Sequence, residues 1–171
     1  MTRTLRFAAA LALAAACSQA AAQQAPSPEQ AQAAMARQMQ MMAIMFDYRK
    51  SKLGFDETVS ALTAAAARRG WQGGAAQDVQ AAMKQSGATD SKRMKVLPTC
   101  PRDANERLAR ASGGKLPPLP CRMTVFEAKD GKAYVVRMNT AMLARGLKDE
   151  PARVMAEIAA EEMAVLKDIV E

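Results

Sequence analysis

Apolar side chains recur along the chain with two periods, and the points where one gives way to the other mark its elements. Ser27 with Gln30 three residues on makes a capping-box pattern, and Pro28 suits a first helical position, so a helix is predicted to start there. Met35, Met39, Met42 and Phe46 follow at spacings of four, three and four and share one face, which Met41 and Met45 widen. Beyond Ile44 the period drops to two. Phe46 and Tyr48 alternate with charged neighbours, and Met45 to Lys52 reads as a strand. The helical period returns at Phe55, Val59, Leu62 and Ala66. Asp56 and Glu57 open that helix at the positive end of its dipole, and Arg68, Arg69 and Gly70 close it.

The same signals divide the rest of the chain. Asp78 caps a predicted short helix from Val79 to Gln85, Arg93 to Thr99 forms a strand, and Pro101 starts a polar helix that carries Leu108 to about Ala111. Gly113 to Pro120 is broken by glycine and proline and reads as a loop. A hairpin follows, Met123 to Phe126 and Ala133 to Met138, with Asp130-Gly131 in its turn. Asn139 or Thr140 caps a short helix to Leu147. Pro151 starts a final helix on which Val154, Ile158, Val165 and Ile169 share a face.

Composition changes this picture at its N-terminal end. The chain has 171 residues, 50% apolar and 4% aromatic, which allows one modest domain. Part of the apolar half belongs to a leader: Arg3 and Arg6 precede a run from Phe7 to Ala16 too short to span a bilayer, and Ala20 and Ala22 satisfy an A-x-A cut. Residues 1–22 are therefore expected to be a signal peptide and the protein periplasmic or secreted. No transmembrane segment is expected after cleavage. A lipid anchor through Cys17 is disfavoured, because Ala14 stands where that signal wants a leucine. The formal charge of +7 is spread along the chain; Lys92, Arg93 and Lys95 alternate with apolar residues, so nucleic-acid binding is not expected.

Asp56, Glu57 and Thr58 opening the first core helix, Cys100-Pro101 ending a strand, the triplet Leu119, Pro120, Cys121, and the strand Thr124 to Glu127 come in an order and spacing that resemble the bacterial domain of unknown function 302 family. The resemblance covers roughly Tyr48 to Leu147. It implies a small single α+β (or α/β) domain, helices packed on a mostly antiparallel sheet, and a homodimer; no activity is established for the family. The family pattern puts an apolar strand after the first helix, where Gln72 to Ala76 stand here, so that strand is expected to fray. The expected organisation is a signal peptide at 1–22, a linker and Met-rich helix at 23–44, the family-like core at 45–147 and a C-terminal helix at 148–171.

Candidate chemistry is limited by a complete lack of histidine, which removes the usual general base and the commonest metal ligand. Cys100 and Cys121 are the most chemical pair. In an oxidising compartment the first reading is a disulfide, which requires the flanking strands to be antiparallel so that both sulfurs lie at one end of the sheet. Two other readings stand beside it: a redox dithiol or soft-metal site, in which Met94 or Met123 joins the cysteines to hold copper, and an inert reduced pair. Trp71 beside Gly73 and Gly74, with Pro101 and Pro120 flanking the cysteines, marks a candidate ligand pocket, although Trp71 also fits as packing under a helix end. Packing outweighs copper for the methionines of the first helix. Glu157, Glu161 and Glu162 read as a solvated helix face, and Asn105, Glu106 and Arg107 as a polar helix without a partner motif. No catalytic residue and no resident cofactor is assigned. The leading function is a non-enzymatic module that binds a small ligand or a partner protein as a homodimer, its Met-rich helix completing the interface; the alternative is a thiol-redox or copper-handling protein.

Overall fold

A computed structural model describes residues 27–171, so the expected signal peptide, its expected cut and Cys17 lie outside the described residues. The chain divides into two compact units, Met1–Gln38 and Met39–Glu171, and helix α1 (Pro28–Met45) runs across the division. Its start is the capping box: Ser27 N donates to Gln30 Oε1 at 3.0 Å and Gln30 N to Ser27 Oγ at 3.2 Å. The helix has no buried residue, and Met35, Met39, Met41, Met42 and Ile44 are exposed.

Within the second unit the strands are β1 (Phe46–Lys50), β2 (Gln72–Gly73), β3 (Gln77–Asp78), β4 (Met94–Cys100), β5 (Arg122–Glu127) and β6 (Ala133–Met138). They pair antiparallel in the order β1-β6-β5-β4-β2, with β3 also on β4. The β5–β6 hairpin is set by its turn, where Gly131 takes φ 74° and Lys132 N donates to Asp130 Oδ1 at 3.0 Å. The fraying expected after the first helix takes the form of two short pieces on one edge. Gln72 and Gly73 pair with Cys100 and Thr99, Gln77 and Asp78 with Val96 and Lys95, and between them β4 presents Pro98, which has no N–H to donate.

The helices are α2 (Phe55–Arg68), α3 (Val79–Gln85), α4 (Ala104–Ser112), α5 (Thr140–Arg145) and α6 (Asp149–Leu166). Phe55 and Leu62 of α2 and Val165 and Leu166 of α6 bury against Leu97, Met123, Val125 and Val135, all on one face of the sheet. A smaller cluster forms where α4 meets α6, from Cys100, Ala104, Val154 and Ile158. The molecule is thus an α+β domain with a mostly antiparallel open sheet. The opposite face carries the cross-strand rows Tyr48, Val136, Thr124, Val96 and Tyr134, Phe126, Met94, and none of these side chains joins either cluster.

Helix starts differ from the sequence expectation at α4 and α6. The α4 helix starts at Ala104 and not at Pro101, because Asp103 sits at φ 55° and breaks a continuous helix; Pro101 is fully buried and its carbonyl accepts from Ala104 N. The final helix starts at Asp149 and takes Pro151 into its first turn, where a missing N–H costs nothing. On β1 it is Asp47 that faces the helices and Tyr48 that faces solvent, since the inward neighbour on β6 is a charged Arg137 that needs a carboxylate.

Candidate functional site

An apolar pocket of about 230 Å³ opens at the end of the sheet where β6 hands over to α5. Its walls come from distant parts of the chain: Met45 before β1, Leu108 of α4, Met138 at the end of β6, Leu143 of α5 and Met155 of α6. The loop between α4 and β5 supplies the remaining wall through Leu116, Pro117 and Leu119. No lining side chain titrates or is a nucleophile. What the pocket offers is apolar area and three deformable thioethers, which suits uptake of an apolar molecule and not acid–base work.

The wall loop is fastened at both ends. Leu116 N donates to Ser112 Oγ at 3.4 Å at the α4 end. At the other end Asn105 of α4 accepts from Leu119 N at 2.6 Å and donates through Nδ2 to Leu119 O and to Cys121 Sγ, both at 3.2 Å. Cys121 and Cys100 stand at disulfide distance, their Cα atoms 4.7 Å apart, Cys100 ending β4 and Cys121 immediately preceding β5, and these two strands are antiparallel. Asn105, read from the sequence as lacking a partner, is therefore the clamp of this loop.

The other residues singled out from the sequence do not converge on the cysteines. Met94 pairs with Phe126 at the far end of β4, about 20 Å of strand from Cys100, and Met123 is buried in the main core. Among the described residues no group of three or more Cys, Asp or Glu side chains could hold a metal. Pro101 is fully buried beside Cys100, Pro120 is half-buried beside Cys121, and neither lines the pocket. Trp71 packs against the main core and lines, with Gly73, Gly74, Pro98 and Thr99, a second pocket of about 220 Å³. Gly73 is held to glycine there, since a Cβ would lie 2.9 Å from Pro98 O.

The family model of the domain of unknown function DUF302 matches residues 48–171. The chain belongs to the DUF302 family. The match takes in α6 as well as the stretch up to Leu147, in keeping with the part α6 plays in both clusters. Among solved structures, the crystal structure of an uncharacterized conserved DUF302 protein from Bacillus stearothermophilus is similar, with a TM-score of 0.59 and 20% identity over 72% of this chain and 97% of that one. At that identity the likeness shows the fold. No curated protein matches the chain.

This DUF302 domain also contains a buried charge cluster that its sequence did not announce. The Arg137 side chain is 3% exposed; Nη2 donates to Asp47 Oδ2 and to Met163 Sδ, Nη1 to Thr140 Oγ1 and Glu162, and Nε has no partner among the described residues. Glu162 is thus not part of a solvated face. Glu157 and Glu161 are, yet both reach Arg107 and tie α6 to α4. Burial pushes the Glu162 carboxyl above its usual range, against the opposing pull of the Thr140 hydroxyl and Arg137. The available signal was the inward alternation Ala133, Val135, Arg137 on β6, which places a charge where only apolar residues are free to sit.

Proposed function

We propose that this DUF302 protein is an exported, non-catalytic homodimer that takes up a small apolar molecule in the pocket between β6, α4, α5 and α6. The observation that carries the reading is the lining, which is wholly apolar and drawn from separate elements. A dry cavity of about 150 Å³ is enough to take up benzene, so this one matches a ligand of one or two rings or a short branched chain. Methionine adapts its shape to such guests. Export is supported by the charged, alanine-rich leader with its A-x-A site. The dimer is supported by the apolar sheet face outside both core clusters.

Naphthalene is a suitable probe. With the methionine methyls labelled with carbon-13, its titration is expected to shift Met45, Met138 and Met155 saturably and to leave Met35 and Met39 in place. Leu143→Trp, which fills the pocket, should abolish those shifts. Unmoved pocket methyls in the wild-type protein would overturn the reading.

A further inference from the structure

We propose that the Cys100–Cys121 pair is a redox latch on the apolar pocket, so that a dithiol reductant lowers the protein's affinity for its ligand. This rests on the pocket reading above. The chain of contacts is short: Leu119 walls the pocket, Asn105 holds the main chain of Leu119 and the sulfur of Cys121 through one side chain, and Cys121 is joined to β4 through Cys100. Cys121 also sits at φ 22°, a conformation a non-glycine residue keeps only while its surroundings impose it. Cutting the bond removes one of those constraints two residues from the pocket wall.

The exchange has a defined direction. Cys100 is 7% exposed and Cys121 half-buried, so an incoming thiolate reaches Cys121 Sγ first. The S–S bond breaks, Cys100 leaves as thiolate and takes up a proton, and the reductant's second thiol then displaces Cys121 from the mixed disulfide. The net change is two electrons and two protons from the dithiol to the protein, with the reductant left as its own disulfide. After cleavage the loop is left with the Ser112 and Asn105 hydrogen bonds alone, each worth far less than a covalent tie.

The naphthalene titration tests this when run on oxidised protein, on protein reduced with dithiothreitol, and on the Cys100→Ser, Cys121→Ser double variant. If the wall is in its binding arrangement a tenth of the time once released, apparent affinity falls about tenfold. The double variant should match the reduced protein and ignore dithiothreitol. Equal affinity in both redox states overturns the latch while leaving the pocket intact, whereas no saturable shift in the oxidised protein overturns the pocket itself. Loss of far-ultraviolet circular dichroism on reduction also overturns the latch, because the bond would then hold the whole fold and not one wall.

Discussion

Arg137 shows how much one residue can demand of its neighbours. Its guanidinium lies between Asp47, 90 residues earlier, and Glu162, 25 later, and Asp47 also accepts from the half-exposed Arg49 at 2.8 Å. Burial raises the Glu162 carboxyl above its usual range, against the opposing pull of the Thr140 hydroxyl and Arg137. A carboxyl whose native pKa lies above its unfolded value contributes stability in full below the ordinary carboxylate range, and that contribution is lost as pH rises through the native value. Glu162→Gln removes this dependence. Urea unfolding from about pH 4 to 8 should show the wild-type midpoint falling relative to the variant as pH rises; parallel curves would contradict the assignment. Arg137 was legible as an inward position from the alternation along β6. Its partners were not, since Asp47 and Glu162 look like ordinary surface acids until the strands and α6 are assembled.

At the scale of elements, local chemistry decided most of the outcome. The β5–β6 turn, the Asp78 cap of α3 and the Gly70 end of α2 are each set by residues within a few positions of one another, and each was readable. Boundaries set by a neighbour were not. Asp103 at positive φ delays α4 while Pro101 before it is fully buried, and Pro98 interrupts the edge partner of β4. Asn139 combines both kinds of control. It caps α5 by accepting from Met142 N at 3.1 Å, and its side chain and backbone donate to Ile44 O and Met45 O beside β1. Asn139→Ala should therefore destabilise the protein by about 1 kcal/mol or somewhat more, read from urea midpoints, since a lost cap alone is worth about that much.

For the whole molecule, the informative asymmetry is between the two faces of the sheet. One is covered by α2 and α6; the other presents Val136, Thr124, Val96, Phe126 and Tyr134 outside either cluster, with Phe126 and Tyr134 stacked at 5.5 Å. If this face joins two copies, Val136→Lys should halve the mass seen by light scattering and leave the naphthalene shifts of the pocket methyls unchanged, since the pocket lies elsewhere. An unchanged mass would remove the face from the interface. The periods, caps and turns of the chain were enough to place most of the helices and strands, because each of those features is written in residues close together, whereas antiparallel strands beside the cysteines were expected only as the condition of a disulfide. Which sheet face is covered, which acids meet Arg137, and the joining of Met45, Leu108, Met138 and Met155 around one cavity came only with the tertiary structure. Those depend on distant segments packing against one another, and a residue's local pattern carries no record of what will lie across from it.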